Sequence, residues 1–320
     1  MYLSRIMGFV LAVLSIFSVH AQPYPNKPIR IVVPFAPGGA TDVIARVISL
    51  RLTDRLKQRV IVDNRPGGSA ILGSDVVAKS PADGYTLLFT ANPHTVNLGL
   101  QPKLPYHPMD DFEPITLAGL QPLFLTLHPS ISAQTLPELI TELKAHPDKY
   151  SYSTSGTGGP QHLAGEMFKS ITNTKILHIP FKGAAPATNE LLSGRVQIGF
   201  AGSTNVLQFV PSGKLKILAT SSATRTRFAP NTPTLQELGL TGFECVAWLG
   251  LLAPKGVPSD IIQLLATEVK TILNEEKIKE ALNLQGIEGV GNTPIEFTAF
   301  LRADLQRTNK IIIENNIKPD

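Results

Sequence analysis

A chain of 320 residues, 43% of them hydrophobic and 17% charged, is long enough for two α/β cores and too apolar to be disordered. Its formal net charge of +4 is small and no block of basic residues occurs, so the composition gives no support for nucleic-acid binding. Cys245 is the sole cysteine, which excludes an intrachain disulfide, and its apolar neighbours predict a buried, inert thiol.

Residues 1–21 are predicted to be a secretory signal peptide. Arg5 supplies a positive charge, an apolar run covers residues 6–19, and Ala21 is a small residue at the cleavage position. A membrane anchor is the alternative, but about 14 apolar residues fall short of the roughly 20 that span a bilayer. Because Gln22 is not a lipid-accepting cysteine, we expect the mature protein to be free in the periplasm.

Apolar strands and helices alternate after this leader. Strands are predicted at 29–34, 60–62 and 85–90, separated by a helix at 41–57 and another that ends at Lys79. This order is typical of a parallel sheet covered by helices. The following stretch, 92–114, is predicted to be irregular.

A second alternating unit of similar size comes next. Its strands are predicted at 123–127, 150–154, 176–181, 196–200 and 215–220. One long apolar strand at 243–253 and three helices, at 259–274, 275–285 and 294–313, end the chain. Because these last helices have no strands of their own to cover, we expect them to pack on the first sheet.

The chain is therefore predicted to be an α/β protein of two lobes. Lobe 1 comprises 22–122 plus 248–320 and is discontinuous, whereas lobe 2 comprises 123–247. The two crossings, near residues 122 and 247, would form a hinge. Two consecutive domains followed by a helical tail are the alternative.

Two glycine-rich junctions between a strand and a helix, Pro34–Asp42 and Ser153–His162, are the candidate ligand sites. Each lies where the carboxyl end of a strand meets the amino end of a helix, the position at which open α/β sheets bind ligands. The first turn of a helix leaves backbone N–H groups without partners, and glycine allows an anion to approach them. Two facing loops would therefore hold a carboxylate without needing a lysine or arginine.

Other interpretations of these residues stay open. Either loop alone is better explained by a tight turn and an ordinary helix cap; the presence of two matched loops, one in each lobe, is what favours a ligand site. His162 and Glu166 share a helix face, but a third residue with metal-ligand spacing is missing from the sequence. No Gly-x-Ser-x-Gly elbow or phosphate-binding pattern occurs, so nothing predicts catalysis or a cofactor.

Seven motifs in order resemble one known family, the Bug (TctC-type) receptors of tripartite tricarboxylate transporters. They are Pro34–Asp42, Val62–Gly68, Pro81–Leu87, Leu104–Ile115, Ser155–Glu166, Ile179–Gly183 and Pro230–Thr234. The resemblance covers essentially all of the mature chain and implies a two-lobed type II periplasmic-binding-protein fold with a hinge. It also implies that a small organic acid is held largely by backbone groups of the two loops.

Carried over by position, the resemblance implies a set of ligand-binding residues. They are Phe35, Gly38, Gly39, Thr41, Asp42, Ser155, Gly156, Thr157, Gly158, His162, Lys182, Gly183, Ala184, Ala201 and Gly202. One departure concerns the segment after Phe200, where many members carry Phe-Asp-Asn and this chain has Ala201-Gly202-Ser203. The missing acid makes an amino-acid ligand less expected and a plain or aromatic carboxylate more so.

The predicted function is capture of a mono- or dicarboxylate, possibly aromatic, by a monomeric periplasmic receptor. The receptor would deliver it to the membrane permease subunits of a tripartite tricarboxylate transporter, or to a signalling partner. A secreted two-lobed enzyme acting on a small carboxylate, with Cys245 attaching its cofactor, is the alternative. A third possibility, an adhesive or scaffolding surface protein, predicts no ligand-induced stabilisation.

Overall fold

A computed structural model describes residues 24–181 and 183–318. The predicted signal peptide, residues 1–21, and the predicted site residue Lys182 lie outside the described residues. None of the helices in the described part of the chain is long and apolar enough to cross a bilayer.

Eleven strands are described along the chain. They are β1 (Ile29–Val33), β2 (Val60–Asn64), β3 (Thr86–Ala91), β4 (Phe112–Gln121), β5 (Leu123–Leu127), β6 (Ser151–Thr154), β7 (Leu177–Pro180), β8 (Ile198–Gly202), β9 (Lys216–Thr220), β10 (Ala247–Pro254) and β11 (Glu288–Gly289). They form a six-stranded sheet in the order β11-β4-β10-β3-β1-β2 and a five-stranded sheet in the order β7-β6-β8-β5-β9. β1 is parallel to β2 and β3, and β6 is parallel to β7 and β8, as the alternating patterns predict.

Helices connect and cover these strands. They are α1 (Ala40–Leu56), α2 (Ile71–Ala78), α3 (Pro93–Leu100), α4 (Leu136–Ala145), α5 (Pro160–Thr172), α6 (Ala184–Leu192), α7 (Ser203–Val206), α8 (Ser259–Leu273), α9 (Glu276–Leu284) and α10 (Pro294–Glu314). α8 and α9 pack on the first sheet, where Leu265, Val269 and Leu282 join its largest core. This placement agrees with the prediction for the first two of the chain's last three helices.

The chain passes between the sheets twice. β4 ends at Gln121 and β5 begins at Leu123, while β10 returns to the first sheet at Ala247. Strand membership thus changes at the positions where the hinge is predicted. The exact division into 22–122 plus 248–320 and 123–247 stays a prediction, because two helices contribute to both cores.

α3 and α10 are those two helices. Phe297 and Leu301 of α10 pack with Trp248 of the first sheet, but Ile311 and Ile312 belong to the core of the second. Val96 and Leu100 of α3 also join the second core, while His94 of the same helix lies edge-on to Phe112 and Trp248 in the first half. The two halves of the molecule are therefore linked by side-chain packing as well as by the strand crossings.

The predicted irregular stretch, 92–114, is wrong in two places. α3 lies within it, with Pro93 at the first helical turn, where a missing N–H costs nothing. β4 starts at Phe112 despite Pro114, because Pro114 pairs with Leu252 at an irregularity of the ladder. The predicted strand at 243–253 is also too long, since β10 begins only at Ala247.

Candidate functional site

The first glycine-rich loop, residues 34–39, connects β1 to α1. Gly38 has a φ of 88°, a left-handed conformation that glycine adopts without strain, and its N–H donates to Oδ2 of Asp42 at 2.9 Å. Gly39 is the N-cap of α1 and uses no side chain to cap it. Gly38 and Gly39 are both exposed, so the loop offers bare backbone to solvent.

The buried carboxylate of Asp42 holds this loop in its conformation by hydrogen bonds. Its side chain is 3% exposed and also accepts from Arg46 Nε at 3.0 Å and from Asn64 Nδ2 at 2.8 Å. Burial opposes ionisation of Asp42, but the hydrogen bonds from Arg46, Gly38 and Asn64 outweigh it and hold the pKa below its ordinary value. Asn64 further donates to the carbonyl oxygen of Phe35 at 3.1 Å, so Asp42 and Asn64 together set the loop's shape.

The second loop, residues 155–159, connects β6 to α5 and has the same geometry. Gly158 has a φ of 75°, and its N–H donates to Nδ1 of His162 at 3.0 Å, as Gly38 donates to Asp42. The N-cap of α5, Gly159, has φ −72° and ψ 165°, against −75° and 164° for Gly39. In both loops a side chain in the first helical turn thus accepts from the glycine before the N-cap.

Both helix starts present backbone donors. Within the described residues the N–H groups of Gly39, Ala40 and Thr41 meet no acceptor in the protein. The same holds, in the part of the chain described, for Gly159 and Gln161 of the second loop. Unpaired N–H groups at the positive end of the helix dipole favour a bound anion. Both helix starts therefore have the features of an anion site formed by backbone.

The two loops lie at the edges of the sheets that face the crossings. β3 ends at Ala91, which pairs with Leu249 near the start of β10, and β1 runs parallel to β3. In the second sheet β8 ends at Gly202, which pairs with Leu123 at the start of β5, and β6 runs parallel to β8. The carboxyl ends of β1 and β6 thus open toward the junction of the sheets, where the candidate site would lie.

α3 brings the second loop into contact with the first half of the molecule. A Cβ placed on Gly158 would lie only 2.6 Å from Leu100 Cδ1. Gly158 is accordingly buried, unlike Gly38. α3 was not predicted from the sequence, so this contact was missed; Pro93 after an apolar strand was the signal that could have indicated it.

Two further predicted segments adjoin the second loop or the crossing. The N–H of Gly183 donates to the carbonyl oxygen of Ser155 at 3.3 Å, which places Gly183 and Ala184 beside the loop. Ala201 and Gly202 are buried at the end of β8, and a Cβ on Gly202 would lie 3.3 Å from Gln121. The structure therefore groups Gly183 with the second loop, whereas Ala201 and Gly202 lie at the crossing.

The loop 66–70 after β2 was not predicted as a ligand-binding segment, but it lies next to the first glycine-rich loop. Ser69 and Ala70 adopt φ values of 52° and 74°, which are unusual for residues with a side chain. Asn97 Nδ2 donates to the carbonyl oxygen of Ser69 at 2.8 Å and holds this loop to α3. Because β2 is parallel to β1, the loop opens at the same edge as residues 34–39.

His162 has its side chain inside the second loop, 5% exposed. Its ring stacks on His178 with centroids 3.9 Å apart, and His178 stacks in turn on Tyr152 at 5.0 Å. Glu166 lies 3.8 Å from His162 Nε2, and it accepts from Tyr152 Oη at 2.6 Å and from Lys169 Nζ at 2.8 Å. Burial and the Glu166 carboxylate raise the pKa of Tyr152.

This arrangement explains the spacing of His162 and Glu166. Glu166 is held by Lys169 and Tyr152, and no group of three or more histidine, cysteine or acidic residues able to hold a metal is found in the described part of the chain. His162 contacts the backbone of the loop rather than protruding from it. Its hydrogen bond with the Gly158 N–H contributes to the shape of the loop.

Two sheets joined by two crossings, with matched glycine-rich loops at the carboxyl ends of β1 and β6, define a two-lobed protein of the periplasmic-binding-protein class. The model of the tripartite tricarboxylate transporter family receptor, TctC, matches residues 44–317. The chain belongs to this family, whose members are periplasmic solute-binding proteins.

Three similar proteins illustrate the relationship. Protein BugT of Bordetella pertussis is 37% identical over 319 residues, which cover 99% of this chain and 98% of that protein. The structure of R. palustris Rpa4515 with adipate has a TM-score of 0.76 at 30% identity and covers 93% of this chain and 100% of that one. MatC from Rhodopseudomonas palustris with bound malate has a TM-score of 0.72 at 27% identity, covering 90% and 100%.

Proposed function

We propose that this protein captures a small organic carboxylate between its two glycine-rich loops and delivers it to the permease of a tripartite tricarboxylate-type transporter. The observation that supports this most directly is the pair of matched helix starts with N–H groups that meet no acceptor among the described residues. A carboxylate at each loop would accept two or more of these N–H groups. A dicarboxylate would span both.

The related structures agree with a ligand of this kind. Rpa4515 is described with adipate and MatC with malate, and both are dicarboxylates. Recognition by backbone N–H groups depends on the carboxylate and the helix dipole, not on the rest of the molecule. We therefore propose a dicarboxylate as the preferred solute, with aromatic monocarboxylates as weaker candidates.

The side chains near the loops favour a plain acid over an amino acid. The carboxylate of Asp42 is already engaged by three protein donors, so it is poorly placed to bind an ammonium group. Ala201 and Gly202 supply no charge at the end of β8. An amino group on the ligand would thus find little compensation there.

The enzyme alternative finds no support in the geometry of Cys245. This thiol is 6% exposed, and its Sγ lies 3.2 Å from the carbonyl oxygen of Pro160. Burial raises the pKa of Cys245 to about 12, so the reactive thiolate is scarce at neutral pH. Attachment of a cofactor at this position would require the surrounding core to open.

We further propose that the protein is secreted and that it interacts with a membrane partner. Removal of residues 1–21 after secretion would leave a monomeric receptor in the periplasm, where the family acts. A cognate permease would recognise the loaded receptor at the membrane; a signalling partner would serve the same purpose for a receptor without a transporter. Purified mature protein is expected to be monomeric by light scattering.

Calorimetry with adipate, malate and their dimethyl esters tests the ligand class. The free acids should bind, whereas the esters should bind at least about tenfold more weakly, because they carry no charge for the helix dipoles. Identification of the small molecule that copurifies with the protein, after denaturation, would name the solute. Equal affinity for acid and ester would contradict recognition of a carboxylate.

A pair of substitutions at one residue tests the backbone donor. Gly39 has a φ of −75°, which proline accepts, and a Cβ there meets only the carbonyl oxygen of Ala36 at 3.9 Å. Gly39→Pro removes an N–H that no described acceptor uses, so affinity should fall by about tenfold or more while stability is retained. Gly39→Ala keeps the N–H and is the matched control. Equal affinity of the two variants would contradict the proposed donor.

A further inference from the structure

The two loops are built alike but held by chemically different side chains. Asp42 accepts from Gly38 N–H in the first loop, and His162 accepts from Gly158 N–H in the second. A carboxylate keeps its acceptor capacity throughout the neutral pH range. An imidazole loses it when the accepting nitrogen binds a proton.

The tautomer of His162 follows from this contact. A backbone N–H can only donate, so Nδ1 must be the unprotonated nitrogen of the ring. In the neutral form the proton is then on Nε2, which faces Glu166 at 3.8 Å. Protonation of His162 would place a second proton on Nδ1, opposite the Gly158 N–H at 3.0 Å.

We propose that His162 is a positioning residue that makes the second loop, and with it the affinity for the carboxylate, dependent on pH. Neutral His162 holds Gly158 and so fixes the helix start at which the anion binds. Protonated His162 cannot accept from Gly158, and the loop loses the geometry it shares with the first. The inference rests on the proposed function, because it concerns how that same site is held.

The charged and titratable groups around His162 allow this switch. Glu166 lies on α5, the same helix as His162. Its carboxylate accepts hydrogen bonds from Lys169 Nζ at 2.8 Å and from the hydroxyl of Tyr152 on β6. His178 from β7 stacks face to face on His162 at 3.9 Å, so the two rings resist being charged together. Tyr152 lies beyond His178 in the same stack. Glu166 favours a proton on Nε2, and the only nitrogen left to take up another proton is Nδ1.

The sign of the effect follows from linkage. If the carboxylate binds only to the form with neutral His162, affinity is constant where that residue is neutral and falls as acid protonates it. The loss approaches tenfold per pH unit once most of the free protein is protonated. If the positive charge of protonated His162 simply attracted the carboxylate, the affinity would instead rise on acidification. The direction of the pH dependence therefore distinguishes the two effects.

Calorimetry with adipate between about pH 8 and 5.5 provides the first test. The dissociation constant of the unmodified protein should rise on acidification, by up to about tenfold per pH unit once His162 is protonated. His162→Asn places a neutral acceptor where Nδ1 lies and should bind with nearly constant affinity over this range. His178→Gln, which removes the neighbouring ring but leaves His162, is the matched control and should keep the pH dependence.

NMR of the ligand-free protein tests the switch independently of any solute. The amide signal of Gly158 should shift with the titration of the His162 ring, whereas that of Gly38 should stay unchanged until Asp42 is protonated in stronger acid. Absence of adipate binding at every pH would count against the proposed ligand, while the Gly158 titration would still decide the switch. A Gly158 amide that ignores the His162 titration, or an affinity that falls equally in His162→Asn, would overturn the inference.

Discussion

Alanine substitution at Gly38 and Gly158 should separate two costs that glycine avoids in this protein. Both residues have positive φ values, 88° and 75°, so alanine at either position suffers the left-handed strain of about 1–2 kcal/mol. Their surroundings differ. A Cβ on Gly38 meets nothing within 4 Å, whereas one on Gly158 would lie 2.6 Å from Leu100 Cδ1.

The steric contact adds to the cost at Gly158 only. Leu100 is 8% exposed and packed in the second core, so its side chain has little room to move away. Overpacking of this kind costs typically about 1–3 kcal/mol. We therefore expect Gly38→Ala to lower the free energy of unfolding by about 1–2 kcal/mol, and Gly158→Ala by about 2–5 kcal/mol when both costs add.

Chemical denaturation of the two variants measures this difference. Adding Leu100→Val, which shortens the side chain that would clash, should rescue part of the loss in Gly158→Ala and none of it in Gly38→Ala. The rescue would appear as a coupling energy of about 0.5–3 kcal/mol in a double-mutant cycle. Equal losses at Gly38 and Gly158, or zero coupling to Leu100, would refute the proposed contact between the second loop and α3.

Further predictions concern acid stability, thiol reactivity and shape. The pKa of Asp42 lies below its ordinary value of 3.8, so its ionised form stabilises the fold above that pH and the stabilisation is lost as the pH falls further. The difference in melting temperature between the unmodified protein and Asp42→Asn should therefore shrink as the pH falls below 3.8. Cys245, with a pKa of about 12, should react with iodoacetamide at about pH 8 only after unfolding, as mass spectrometry would show, and rapid labelling of the native protein would contradict its burial. Saturation with ligand should reduce the radius of gyration in solution scattering.

Much of the fold was predictable because its signals are local. The strand predicted at 29–34 and the strand predicted at 150–154 are each followed by a glycine-rich stretch, and these glycines indicated the position of both loops. β4 was missed because Pro114 argues against a strand, and only its partner strand shows that an irregular ladder accommodates it. The run 243–246 is apolar enough for a strand, but the N–H of Cys245 donates to Ser221 instead of extending β10.

The residues that hold the two loops in their conformation were less predictable than the loops themselves. Asn64 and Asp42 are separated in sequence, and nothing local indicates that they meet under the first loop. His178 likewise reaches His162 only through the parallel pairing of β6 with β7. Sequence patterns therefore indicated which backbone could bind an anion, while the residues that hold this backbone in place depend on tertiary structure.

The last prediction is that a ligand bound at both loops closes the hinge between the two lobes. A ligand that touches both loops binds the closed form better than the open one, and only this difference in affinity can shift the equilibrium between them. Asn92 holds the crossing near Ala247, since its Nδ2 donates to the carbonyl oxygen of Val246 at 3.0 Å and its Oδ1 accepts from Trp248 N–H at 3.0 Å.

We expect closure to leave two contacts in place: the hydrogen bonds of Asn92 at the crossing and the close approach of Gly158 to Leu100 of α3. The first loop would move relative to the second while these contacts persist, which changes the surface that a permease meets. Small-angle scattering with and without adipate should therefore show a smaller radius of gyration in the loaded protein, and the dimethyl ester should leave it unchanged. A scattering curve that stays the same at saturation, with binding confirmed by calorimetry, would show that the solute is held without closure.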